Sequence, residues 1–211
     1  WIFPKPINTI IAICIKRKNG GKNYMPRLNN FKKSIPSSKD EFYTPRILAD
    51  AILEYVPKDK KIWCPFDTAE SEFVKAFQER GNIVTHSHIQ EGHDFFELSD
   101  YGSDIIISNP PFTKKIKVLE SLWKRGKPFA MILGLPILNY QVVGDFFCDH
   151  PGLQLLIVNK KVSFDGNTSS FNNSYFCKDL LPEKLIFKKI AHNNSGDNFE
   201  PSEMLLKMND R

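Results

Sequence analysis

From Asp40 onward, apolar runs alternate with amphipathic segments, and the spacing of the apolar positions switches between the strand period and the helix period. Arg46 to Tyr55 places Ile47, Leu48, Ala51, Ile52 and Tyr55 at helical spacing. KIWC, Lys61 to Cys64, reads as a short strand. Glu70 to Arg80 predicts a helix ended by Gly81, since glycine closes a last turn in the left-handed region without steric cost. NIVTH and DIIIS, Asn82 to His86 and Asp104 to Ser108, predict two more strands. Lys114 to Lys124 predicts a helix ended by Gly126, PFAMILG a strand, and Leu138 to Cys148 a further helix. LQLLIV, NSYFC and KLIFKKI are late strands with little helix between them. Alternation of strand and helix followed by a strand-rich end predicts an α/β fold. The expected form is a doubly wound, Rossmann-like, mostly parallel sheet with a C-terminal antiparallel hairpin.

The 211 residues suffice for one such domain, which we place at 40–191. Residues 1–39 are expected to be a loose N-terminal arm and 192–211 a polar tail. The formal charge of +5 resides in the first 24 residues, where Lys5, Lys16, Arg17, Lys18 and Lys22 meet no acid. The remainder is formally neutral, so net charge makes no case for nucleic acid, and any basic surface must come from local clustering. The apolar run INTIIAICI has nine residues, too few to span a bilayer, and its basic residues mostly follow it, opposite to a secretory signal. No membrane partner is expected. Met25 opens a stretch that reads like a natural start, so residues 1–24 are expected to be translated upstream sequence or part of the arm. Cys14, Cys64, Cys148 and Cys177 are scattered without a CxxC pair, which fits a reducing cytoplasm and argues against disulfides or a thiolate zinc site.

The stretch SNPPF, Ser108 to Phe112, ends an apolar strand in an amide, two prolines and an aromatic ring. In an open α/β sheet, ligands sit beyond the carboxyl ends of the strands. The prolines fix φ and remove two backbone donors, leaving carbonyl acceptors without competing N–H groups. Asn109 adds an amide oxygen and Phe112 a flat apolar face. A rigid group of acceptors beside an aromatic plane suits a planar group that carries an NH₂.

On these residues the chain resembles the S-adenosylmethionine-dependent amino-methyltransferases with a (D/N/S)-P-P-(Y/F) motif, adenine-specific enzymes of gamma-type motif order in particular. The resemblance runs from about Asp40 to Ile190. DEFYTP, with Tyr43, Thr44 and Pro45, is similar to the element that precedes the core and contacts the cofactor's methionine end. IWCPFDTAESEF, with Pro65, Phe66, Asp67 and Ser71, takes the place of the first cofactor loop. GHDFFE, with Asp94 and Phe95, resembles the element whose acid contacts the cofactor adenine. The resemblance implies methyl transfer to the amino group of an adenine flipped out of nucleic acid, with DNA expected ahead of RNA. Asn109 and Pro110 would accept the amino hydrogens, Pro111 would hold the turn, and Phe112 would stack on the base. A small enzyme of this kind fits a solitary or phage-type methyltransferase.

The chain departs from that pattern at two places. PFDTAES carries no glycine where the family usually has a glycine-rich turn. Ala69 is a partial substitute; Asp67 could receive the cofactor's ammonium and Ser71 could bond near its carboxylate. The acid that commonly binds the ribose is absent, and NIVTHSHIQ offers His86 or His88 instead. These histidines and His93 raise the question of a metal, but no fourth ligand is evident, so none is expected. Thr44 and Pro45 also suit a helix start, and both roles are compatible. Lys114, Lys115 and Lys117 follow the Pro-Pro motif and could meet phosphates; Lys124, Arg125, Lys127, Lys160 and Lys161 are further basic positions. Val162 to Phe176, with Phe164, Asn167, Ser169, Phe171 and Asn172, could form a loop near the target. Two other readings stay open: transfer to a different planar nitrogen, such as RNA adenine or protein glutamine, and a catalytically inactive fold serving as a binding module. Removal of residues 1–24 is expected to leave the melting temperature unchanged; a large fall in a thermal melt would make them part of the folded unit.

Overall fold

A computed structural model of the chain describes residues 44–164 and 172–190. The N-terminal arm, Tyr43, Asn167, Ser169, Phe171 and the polar tail lie outside the described residues.

Among the described residues, seven strands form one sheet: β1 Lys61–Cys64, β2 Ile83–His86, β3 Ile105–Ser108, β4 Phe129–Gly134, β5 Leu153–Val158, β6 Asn173–Lys178 and β7 Leu185–Lys188. Their spatial order is β2-β1-β3-β4-β6-β5-β7. Pairings from β2 to β4 are parallel. β6 runs antiparallel between β4 and β5, and β7 returns parallel to β5 at the edge. The antiparallel part expected near the C-terminus is therefore set into the sheet, with one more parallel strand outside it.

Side chains of a strand alternate between faces, and each face here has its own core. Ile62, Cys64, Ile105, Ile107, Ala130, Ile132, Tyr175 and Cys177 join α1 Arg46–Leu53 and α2 Glu72–Glu79. Trp63, Ile106, Phe129, Met131, Leu133 and Phe176 join α3 Lys115–Arg125 and α4 Gln141–Asp149. Burial on both faces explains why β3 reads as an unbroken apolar run. Helices on both faces make the sheet doubly wound. The predicted helix from Leu138 divides: a 3-10 turn, Leu135–Asn139, holds Pro136, and extended Tyr140 separates it from α4.

Gly126 ends α3 at φ 68, its amide donating to the carbonyls of Leu122 and Trp123. Among the described residues no helix is long and apolar enough to cross a membrane. β1 has β2 on one side and β3 on the other, so the chain reverses direction across the sheet at this pair. The carboxyl ends of β1 and β3 diverge there and open a crevice.

One buried hydrogen bond fastens α1 to this sheet: the Tyr175 hydroxyl donates to the Leu48 carbonyl at 2.6 Å. Tyr175→Phe is expected to lower unfolding free energy by about 1 kcal/mol in urea titration. Unchanged stability would mean that the bond contributes nothing to holding α1.

Candidate active site

The loop after β1 takes its shape from side chains. The Phe66 amide donates to the Ser108 hydroxyl at 3.1 Å, and that hydroxyl donates to the Asp67 carboxylate. The Asp67 amide donates to the Ser87 carbonyl at 3.2 Å, and the Thr68 amide to the Ser71 hydroxyl at 3.1 Å. Ser87 also receives the Trp63 indole N–H at 3.1 Å, locking the start of the segment after β2. No residue from Pro65 to Ser71 has a positive φ. The turn therefore closes without the glycines that the resemblance leads one to expect.

Asp67 is 5 % exposed. Burial pushes its carboxyl up to about 6, against the hydrogen bonds from Ser108 and Ser71, which lower it. Neighbouring Cys64 is fully enclosed, and burial raises its thiol well above the ordinary value, so it supplies no thiolate.

β3 runs straight into Asn109, Pro110, Pro111 and Phe112, and Pro110 is buried. The Pro111 carbonyl accepts from the Lys114 amide at 3.1 Å, which starts the turn into α3. Among the described residues, nothing donates to the Pro110 carbonyl.

The third wall follows β2. His88 precedes a 3-10 turn, Ile89–Glu91, and its Nδ1 accepts from the Gln90 amide at 3.3 Å. That bond assigns the proton to Nε2 in the neutral ring, making it a donor. The Asp94 carboxylate accepts from the Phe96 amide at 3.0 Å and fixes the next turn. Phe95 is buried against Trp63 and Phe66, with ring centroids 5.6 and 4.8 Å away. Arg125 holds this turn from α3: it donates to the carbonyls of Phe95 and Leu98, both at 2.9 Å, and its guanidinium lies 4.8 Å from the Phe95 ring.

These three segments enclose one cavity of about 310 Å³, near the lower end of the ~300–1,000 Å³ common for small-molecule sites. Of the residues singled out in the sequence, Thr44, Pro65, Phe66, Asp67, Ser71, Asp94, Phe95, Asn109, Pro110, Pro111, Phe112 and Lys114 line it. Pro45, His86, Lys115 and Lys117 do not. Pro45 caps α1, and His86 turns toward Glu91, 3.9 Å from its carboxylate. His88 and His93 line the cavity in its place, together with Thr68, Ile89 and Phe96. Phe96 follows Phe95 in the same aromatic pair, and Ile89 follows the histidines, so position along the chain was the available signal for both. Arg125 and Lys127 do not extend the basic cluster; Lys127 pairs with Asp100 at 3.0 Å. Among the described residues no group of three or more His, Cys, Asp or Glu could hold a metal ion.

No protein-family model matches the sequence, and no curated protein matches it. Among solved structures, the chain is similar to the methyltransferase subunit of a type I restriction-modification system from Streptococcus thermophilus. The TM-score is 0.53 at 10% identity, over 80% of this chain and 52% of that one. It thus spans about half the length of that subunit. A protein from Listeria monocytogenes assigned to the class I S-adenosylmethionine-dependent methyltransferases aligns with TM-score 0.44 and 12% identity, over 82% of this chain and 72% of that one. The first of these similarities shows the fold: the domain has a methyltransferase fold.

The Asp67 carboxyl has a consequence for stability. Its value rises from 3.8 unfolded to about 6 folded, so between these pH values the native state binds more protons. Stability then falls as pH rises through that window, by about 3 kcal/mol in full. Asp67→Asn is expected to lack this fall, so its melting temperature should gain on the parent from about pH 4 to pH 7. Parallel melting curves for the two proteins across this range would contradict the assignment.

Proposed function

We propose that this chain transfers a methyl group from S-adenosylmethionine to the exocyclic amino group of adenine in nucleic acid, DNA ahead of RNA. The observation that carries this reading is the meeting of Asn109–Phe112 and the Phe66–Ser71 loop in one cavity at the reversal of strand order.

The residues present fit the cofactor. Asp67 is a buried carboxylate whose burial disfavours its charge, and an ammonium group beside it would favour the charged form. With the ammonium on Asp67, the Ser71 hydroxyl beside it would turn from Asp67 to the cofactor's carboxylate. Phe66, Ile89, Phe95 and Phe96 offer apolar surface for a purine, and Asp94 a carboxylate for its amino group. His88 offers Nε2–H to a ribose hydroxyl where an acid is the usual partner. The bound cofactor supplies an electrophilic sulfonium methyl.

The rest of the chemistry belongs to the chain. The Asn109 side-chain oxygen and the Pro110 carbonyl accept the two amino hydrogens, drawing the nitrogen lone pair out of conjugation with the ring. Phe112 stacks on the base and sets its plane. Two prolines keep these acceptors from rearranging, so alignment is already present before the base arrives. No general base is required ahead of attack; the proton passes to water once the nitrogen has become cationic.

Asn109→Ala is expected to lower transfer by about a hundredfold or more, while calorimetric affinity for S-adenosylmethionine stays within about twofold, because the residue serves the acceptor. Labelled cofactor offered to DNA, RNA and protein pools reads the acceptor directly. Full activity in the variant would remove Asn109 from its role. Label in protein alone would move the acceptor to an amide side chain, and no cofactor binding by folded protein would leave a binding module.

A further inference from the structure

Two lysines beside the cavity lie against aromatic rings without acidic partners. Lys114 sits 5.6 Å from the centroid of Phe96, which itself lines the cavity. Lys115 sits 5.2 Å from the centroid of Tyr140. Among the described residues, no carboxylate comes within 4.0 Å of either ammonium. Elsewhere the chain does pair such groups: Lys75 with Glu70, Lys127 with Asp100 and Lys188 with Glu54.

The second pair is the informative one. Lys115 begins the helix after the Asn-Pro-Pro-Phe turn, and Tyr140 stands at the end of the 3-10 turn after β4. β3 and β4 are parallel neighbours, so both segments leave the same edge of the sheet, next to the cavity mouth. The Lys115 side chain is partly enclosed, and burial lowers its ammonium below the ordinary value. An arriving anion favours the charged form of a partly enclosed ammonium. Tyr140 is 49 % exposed, an aromatic surface of the kind on which bases stack in sequence-tolerant fashion. A phosphodiester beside a base supplies both partners at once; an acidic peptide would meet the lysine and leave the ring unused.

We propose that Lys115 and Tyr140 form a second nucleotide subsite beside the cavity, where the ring stacks on a base flanking the target and the ammonium meets the phosphate between them. A base stacked on Tyr140 has left its own duplex neighbours, so an acceptor that enters as an unpaired strand avoids the cost of separating them. This inference rests on the nucleic-acid reading above and adds the form of the acceptor to it.

The test uses the full chain, a fluorescent single-stranded oligonucleotide of mixed sequence containing adenine, and its duplex. Anisotropy titrations run from about 50 to 200 mM salt. The strand is expected to bind more tightly than the duplex. Tyr140→Leu should weaken strand binding about tenfold, with Tyr140→Phe close to the parent. Lys115→Gln should reduce the slope of log affinity against log salt by about 0.7, the contribution of one phosphate contact on a single strand. Strand binding by Tyr140→Leu and Lys115→Gln that matches the parent would overturn the subsite. So would equal affinity for the duplex, or a polyglutamate peptide that binds as tightly as the strand. Cofactor binding with label in protein and no strand binding would also overturn it, while methyl transfer itself would stand. Strand binding with the expected losses but no cofactor binding would sustain the subsite and refute methyl transfer.

Discussion

The hydroxyl of Ser108 joins the two halves of the candidate site. It is the last residue of β3, and it accepts from the Phe66 amide while donating to the Asp67 carboxylate. Parallel pairing of β1 with β3 brings both segments to one edge, but pairing alone leaves two loops free to splay. A buried serine between them sets their separation. Everything that follows, from the depth of the cavity to the position of Asn109 one residue later, is built on that contact. The arrangement has an energetic cost, because it keeps a carboxylate out of water. Two hydroxyls offset part of that cost, and a cationic ligand would offset the remainder.

The periphery of the site rests on similar reciprocal holds. Arg125 reaches from α3 to the turn containing Phe95, so the helix that starts at the Asn-Pro-Pro-Phe motif also anchors the opposite wall. Ser87 binds both the Trp63 indole and the Asp67 amide, so the core on one face of the sheet is tied to the loop above it. Displacement of any one wall would be felt by the other two, which is what a site relying on alignment requires.

Much of this was legible in the sequence because it follows from periodicity. The strands at Lys61, Ile83, Ile105 and Phe129 emerge where the apolar runs place them, and Gly126 ends its helix as read. The Pro-Pro motif falls at the carboxyl end of a central strand, since a run buried on both faces must be central. What escaped was non-local. Strand order beyond β4 depends on which edge a late strand joins, and no local pattern in NSYFC says that it inserts between β4 and β5. The choice of His88 over His86 for the cavity depends on where β2 stops. Arg125 reads as surface charge until the turn that accepts its hydrogen bonds is folded beside it.

The glycine-free turn from Pro65 to Ser71 changes how this part of the chain behaves before it folds. Glycine surrenders more backbone freedom on ordering than any other residue. A turn made of Pro, Phe, Asp, Thr, Ala, Glu and Ser samples fewer conformations in the unfolded chain, so less entropy is lost when it closes. The shape is correspondingly written in hydroxyl groups. A glycine-built loop keeps its form when surrounding side chains change; this one is held by Ser71, Ser87 and Ser108, positions far apart in sequence. Its inheritance therefore depends on three serines staying together, which is a different mutational constraint from that of a contiguous motif.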